Sequence, residues 1–351
     1  MRDIPARFKP DGRHKGGGMG AVVFCDDTHL DRKVAIKFII EPRNRRRMLD
    51  ELRALLKMRS KHVVQVYDIV TDGDDLGIVQ EYIDGEDLSE SDAPQVSGDA
   101  YFKTLWQIAS GIADIHEIDV IHRDIKPNNM RVDREGIVKI YDFGLAREVG
   151  VNAETKGFVG TYAYAAPELY RSEKVRFTKA VDVYAFGVTA RFLVDKTMPS
   201  ELRVIPPKLD GISFFTGLPF RLPTSVRSIL QRCLEEDPRA RPDMSDVRDE
   251  LARHLLKDRH QALVVFGNES SFLNAANREV ILDLPGIGRL KIEYDGLYFR
   301  VVEVSGEVFI NNRLAKVDSP LPGSCVVALG APDRRNRKFI TFDLSNPEIV
   351  L

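Results

Sequence analysis

The run His122-Arg123-Asp124-Ile125-Lys126-Pro127-Asn128-Asn129 puts a carboxylate, an ammonium and a carboxamide on one short stretch of chain. A carboxylate there can orient a hydroxyl nucleophile, a lysine can touch a phosphate, and an asparagine oxygen can hold a hard cation. Downstream, Asp142-Phe143-Gly144 offers a second carboxylate for the same cation, and Ala166-Pro167-Glu168 follows. Upstream, Lys37 ends the apolar run Val34-Ala35-Ile36, and Lys15-Gly16-Gly17-Gly18-Met19-Gly20-Ala21-Val22 is rich in glycine, which lets backbone approach phosphate with no side chain in the way. Each piece alone has a plainer reading: a loop aspartate as a turn or cap residue, a lysine as solvated surface, a glycine run as a hairpin. In this order, together, they are equipment for moving a phosphoryl group from a nucleotide.

The elements that must carry these groups follow from hydrophobic spacing. Ala21-Val22-Val23-Phe24 and residues 34 to 40 read as strands flanking the glycine turn. Met48, Leu52, Leu55 and Leu56 share one helical face over 45 to 58. Residues 63 to 70 and 76 to 83 read as two more strands. Phe102, Leu105, Ile108, Ala109, Ile112 and Ile115 then predict a long amphipathic helix over 99 to 118, with further helices at 167 to 171, 179 to 195, 224 to 235 and 243 to 257. After a boundary at Lys257 to Gln261 the texture changes. Short β-type runs (263 to 266, 279 to 282, 290 to 294, 298 to 304, 307 to 310, 325 to 329 and 339 to 342) alternate with turns rich in Gly, Pro, Asn and Asp, which argues for a β-sandwich or barrel.

The 351 residues, 43% hydrophobic and 30% charged with a formal net charge of -2, fit a globular protein of two or three domains. That charge gives no global pull toward nucleic acid or anionic membrane. The clusters Arg43-Asn44-Arg45-Arg46-Arg47 and Arg334-Arg335-Asn336-Arg337-Lys338 read first as solvated faces, with nucleic-acid contact the minority reading. No run approaches the length of a membrane span, and Met1-Arg2-Asp3-Ile4-Pro5 lacks the apolar core of a secretory signal. Cys25, Cys233 and Cys325 have no metal-ligand spacing and read as reduced packing residues, so a cytoplasmic protein with no membrane partner is expected.

Over roughly residues 12 to 258 these motifs resemble the eukaryotic-type protein kinase family in its bacterial style, and Lys126 after His-Arg-Asp places the resemblance on the Ser/Thr side. The resemblance implies an α+β, bilobal kinase fold over 1-258, with an N-lobe to about 82 and a C-lobe from about 83. It implies ATP and Mg2+ as cofactors, protein hydroxyls as substrates, and autophosphorylation. By the general scheme for kinases, Asp124 is then the catalytic base and Lys126 neutralises the transferring phosphoryl group. Lys37 contacts the α- and β-phosphates and pairs with Glu51, with Asp50 an off-by-one alternative. Asn129 and Asp142 hold magnesium. Gly17, Gly20, Val22 and Ala35 border the nucleotide, and backbone near Glu81 and Ile83, in Gln80-Glu81-Tyr82-Ile83, meets the adenine edge. Thr161 bonds near Asp124 and Lys126, Glu168 pairs with Arg241, and Asp182 braces the catalytic loop. Thr155 is either an activating phosphosite paired with Arg123 or a plain loop threonine.

Some positions depart from the family pattern. Lys15 stands where a glycine is expected, and Gln80 is a polar gate. Arg131 occupies the strand position that normally puts an aliphatic side chain beneath the base, unless Met130 or Val132 fills it after a register change. An alternative function is therefore a nucleotide-binding pseudokinase scaffold. From 262 to 351 the chain loosely resembles a forkhead-associated sandwich, through Gly288-Arg289, Ser305-Gly306 and Val308-Phe309-Ile310-Asn311-Asn312, without the Ser-x-x-His signature. Two readings stay open for it: a phosphothreonine reader, or a non-binding structural sandwich packed on the kinase.

Overall fold

Along Arg32–Ile39 every second side chain is carbon: Val34, Ile36 and Phe38 are buried in one apolar cluster with Phe8, Cys25, Val70 and Val79. The period of two leaves Ala35 and Lys37 on the opposite face. A computed structural model of the chain describes residues 4–17, 20–39, 55–56, 58–72, 75–90, 98–143, 147–148, 154–156, 162–170, 174–345 and 347–350. The expected helix at 45 to 58, with Asp50 and Glu51, falls almost wholly outside them. So do Gly18, Arg43 to Arg47, Gly144 and Thr161.

The chain divides into one compact unit reaching to Leu251 and a second over Ala252–Val350. In the first, β1 (Phe8–Gly17), β2 (Gly20–Asp27), β3 (Arg32–Ile39), β4 (Val66–Asp72) and β5 (Asp75–Glu81) form an antiparallel sheet of order β1-β2-β3-β5-β4. The chain then runs through β6 (Gly85–Asp87) into helix α1 (Gly98–Glu117). Its predicted stripe Phe102, Leu105, Ile108, Ala109, Ile112 and Ile115 is buried throughout. Gly111 of α1 is there for close approach: a Cβ would meet the His62 carbonyl oxygen at 2.7 Å. Beyond α1, β7 (Val120–Ile121) leads to the loop of Asp124, and a sheet of order β6-β8-β9 is completed by β8 (Met130–Asp133) and β9 (Val138–Ile140).

Helix α2 (Ala180–Asp195) is the central helix, buried on almost every side, and ends at Lys196 in a left-handed conformation whose N–H bonds the Phe192 carbonyl. Short α3 (Ser200–Arg203), α4 (Thr224–Cys233) and α5 (Met244–Leu256) follow. The helix expected at 167 to 171 is a single 3-10 turn, Pro167–Tyr170, and the turn presents Glu168. The three cysteines are free and buried. Burial pushes the Cys25 and Cys325 thiols up to about 11 and that of Cys233 to about 12, which keeps them protonated and inert. Among the described residues no helix is long and apolar enough to cross a membrane.

The second unit holds a six-stranded sheet, in which the first and last long strands, Ala262–Phe266 and Lys338–Leu344, lie side by side. It also holds a three-stranded sheet of Glu279–Leu284, Gly288–Tyr294 and Phe299–Gly306. Both sheets feed one core: Val264, Val327 and Ile340 from the first meet Leu290, Ile292 and Val301 from the second. Sequence spacing overlooks the strand Glu269–Leu273. It is an edge strand exposed except at Leu273, so burial imposes no apolar alternation on it.

Candidate active site

Antiparallel register places the roof of a cleft. Val22 faces Lys37 and Phe24 faces Ala35 across β2 and β3, while Ala35 faces Gln80 across β3 and β5. Val22, Phe24, Ala35 and Lys37 line the cleft from above, Gln80, Glu81 and Ile83 from behind, and Asp87, Arg131, Tyr141 and Asp142 from below. The cleft is open to solvent at its mouth. Gly17 and Gly20 pair where β1 and β2 meet. Glu81 turns its carboxylate away, to Lys139 at 2.9 Å, while its backbone N–H bonds the Gln65 carbonyl at 2.8 Å.

At the inner end of the cleft the Lys37 ammonium contacts the Asp142 carboxylate directly. Asp142 has φ 71, a left-handed backbone that costs an ordinary residue energy and is characteristic of functional positions. The adjacent Tyr141 N–H donates to the Asn129 carbonyl at 2.9 Å, which ties the Asp142 segment to the loop before it. On that loop Asp124 is 7% exposed and accepts from Lys126 Nζ at 2.8 Å and from Asn129 Nδ2 at 2.8 Å. Asn129 Nδ2 also reaches the Asp124 carbonyl at 2.8 Å. The structure thus brings Lys37, Asp142, Asn129, Asp124 and Lys126 into one continuous polar arrangement.

A second tier fixes that loop. Buried Asp182 of α2 accepts from the backbone N–H groups of His122 and Arg123, each at 2.8 Å, and from His116 Nε2 at 3.0 Å. Burial alone would raise its carboxyl, yet those donors hold it below the usual carboxylate range. Burial pushes the His122 imidazole down, so it stays neutral and bridges to the Tyr141 carbonyl at 3.2 Å. The Arg241 guanidinium, its side chain fully buried, makes two 2.8 Å bonds to Glu168. Arg123, also left-handed at φ 70, lies with its guanidinium 3.4 Å over the Phe177 ring.

Phe24, Asp87 and Tyr141 are cleft residues that sequence spacing does not single out. For two of them a signal existed: Tyr141 immediately precedes Asp142, and Asp87 faces Arg131 across β6 and β8. Arg131 itself lines the cleft, while Met130 is fully buried.

A lysine, two aspartates and an asparagine thus gather at the inner end of a cleft roofed by a β-sheet. Residues 15–251 match the model of the protein kinase domain, and the chain belongs to the protein kinase family. It is similar to the serine/threonine-protein kinase PknA of Corynebacterium glutamicum, 33% identical over 255 residues (66% of this chain and 52% of that protein). It is likewise similar to the serine/threonine-protein kinase drp72 of Corynebacterium efficiens, 34% identical over 251 residues (64% and 46%). PrkC of Bacillus subtilis, a serine/threonine-protein kinase, is 31% identical over 238 residues (64% and 36%). The chain spans about half the length, or less, of these curated relatives.

Proposed function

We propose that the chain is an ATP-dependent serine/threonine protein kinase that transfers the γ-phosphoryl group to protein hydroxyls, its own included. The kinase domain is taken as 1–258 and a second domain as 262–351. One observation carries this reading: Lys37, Asp142, Asn129, Asp124 and Lys126, scattered in sequence, are joined by direct contacts or single backbone bonds at the end of a cleft.

The donor set fits magnesium. Asn129 commits its amide hydrogens to Asp124, which leaves its oxygen as the ligand beside the Asp142 carboxylate. Among the described residues no group of three or more His, Cys, Asp or Glu could hold a metal alone, which suits an ion that shares its shell with substrate phosphates. Bound magnesium would offset phosphate charge. Lys37 then orients the nucleotide's inner phosphates, and Lys126 neutralises the phosphoryl group in flight. Asp124, held by Lys126 and Asn129, steers the incoming hydroxyl and takes its proton. The pseudokinase alternative has no observation in its favour.

Purified protein with γ-labelled ATP, magnesium and a generic basic substrate tests the reading. Label should enter substrate and chain, and Asp124→Ala should abolish it; equal labelling by both proteins refutes the assignment.

For the second domain we infer a forkhead-associated-like sandwich, supported by its two sheets around one core. Its Arg289 is bonded to Asp283 at 3.1 Å and lies 3.8 Å from Glu303, so a phosphothreonine would have to displace two carboxylates. That favours a structural role over phosphopeptide reading. Silence toward a phosphothreonine peptide library supports it, and binding lost in Arg289→Ala overturns it.

A further inference from the structure

The cleft is built of different materials above and below. The roof is carbon, from Val22, Phe24 and Ala35, whereas the floor at the hinge end is the Arg131 guanidinium. That group is fixed on several sides. Nη1 donates to the Ile83 carbonyl at 3.2 Å, Nη2 to the Gly85 carbonyl at 2.5 Å, and Nε lies 3.3 Å from Asp87 Oδ1. Asp87 Oδ1 in turn accepts from the Tyr141 hydroxyl at 3.1 Å. The backbone under Nη2 cannot retreat: at Gly85 a Cβ would meet the Val132 carbonyl oxygen at 1.9 Å, so only glycine allows β6 to lie this close to β8.

These anchors decide what the guanidinium offers a ligand. Its N–H bonds lie in its own plane, and donors on both terminal nitrogens are turned into the hinge backbone. Held in this way at a residue that lines the cleft, the planar cation can meet an aromatic ring by stacking and cation–π attraction. The Nη1 bond takes one of the two lone pairs of the Ile83 carbonyl and leaves the other for the edge of a base. Stacking adds to any such edge bond and scales with ring area.

We propose that Arg131 is a specificity-determining residue: the nucleobase stacks on its guanidinium, and the site favours purines over pyrimidines. This rests on reading the cleft as the nucleotide site. Calorimetry of the full chain with magnesium tests it, using ATP, GTP, CTP and inorganic tripolyphosphate as ligands. Wild type should bind both ATP and GTP tighter than CTP. Arg131→Ala and Arg131→Lys should each weaken ATP and GTP by about tenfold and leave tripolyphosphate unchanged. The lysine variant keeps the charge and loses the plane together with the paired bonds to Ile83 and Gly85, and an unchanged melting curve shows that it is folded. Unchanged ATP binding in both variants, or equal weakening of tripolyphosphate, overturns the stacking role alone. A wild-type chain that binds neither ATP nor tripolyphosphate overturns the nucleotide reading and this proposal with it.

Discussion

Replacing Asp182 by asparagine changes one atom and removes one charge, and the hydrogen-bond geometry says what that costs. Oδ1 accepts from Arg123 N–H, while Oδ2 accepts from His122 N–H and His116 Nε2. An amide can supply only one oxygen. In its better orientation the oxygen keeps the two bonds at Oδ2, and the NH2 group points at the Arg123 N–H, donor against donor. The loss is one charge-assisted bond of ~1.5–3 kcal/mol, plus weakening of the other two as they become neutral. It is partly offset because a buried amide is cheaper to desolvate than a carboxylate. We expect about 3 kcal/mol. The chain has one tryptophan, Trp106 in α1, so its fluorescence during urea unfolding follows the first unit alone, which a two-unit chain requires. Because the orphaned N–H belongs to the residue next to Asp124, kcat should also fall by roughly 100-fold, with the KM for ATP little changed. A destabilisation under ~1 kcal/mol with full activity would refute the claim that Asp182 holds the loop.

Arg241→Met leaves Glu168 without its partner and removes donors from the carbonyls of Ala180, Glu235 and Glu236. Breaking such a pair should cost about 3 kcal/mol by the same Trp106 assay; a shift below 1 kcal/mol counts against a structural role. His62 is pushed down by burial, opposed by its bond to the Val138 carbonyl and by Asp114, and aided by Lys139 and Lys61. A lowered histidine leaves the unfolded chain holding the extra proton. Its stabilising contribution is therefore complete above the ordinary value near 6.5 and declines as pH falls below it, by at most ~1.4 kcal/mol per pH unit. His62→Gln should flatten that acid limb of the melting temperature, and parallel limbs would contradict the assignment. The two readings of Thr155, activating phosphosite or plain loop threonine, are separable by experiment. The Thr155 backbone pairs with Val175, close in sequence to the Phe177 ring that carries the Arg123 guanidinium. On the first reading Thr155→Ala should lower activity at least tenfold, and full activity with no phosphate found by mass spectrometry would end that reading.

Most of the polar constellation was legible because, Lys37 apart, its spacing is local: Asp124, Lys126 and Asn129 sit on one loop, and Asp142 follows a short hairpin. The amphipathic helix was legible because the large apolar residues of α1 recur at helical spacing, although its burial extends well beyond that stripe. What sequence could not give is where backbone carbonyls point. Arg131 could be placed on the floor by register alone, yet its grip on Ile83 and Gly85 depends on the path of the chain after the hinge. The strand Glu269–Leu273 escaped for the opposite reason, since four exposed residues carry no burial signal.

In the second unit the Gln261 carbonyl accepts from Ser345 N–H at 2.9 Å, and the Gln261 N–H donates to Ser345 Oγ at 2.9 Å, stitching entry to exit beside the paired strands Ala262–Phe266 and Lys338–Leu344. With its ends this close, the module tolerates transplantation into a surface loop of another protein or re-cutting of its chain order. The same adjacency makes it mechanically soft. Tension applied between Gln261 and Ser345 peels the antiparallel pair apart rung by rung, starting from Ala262 and Leu344, and never loads the whole ladder in shear.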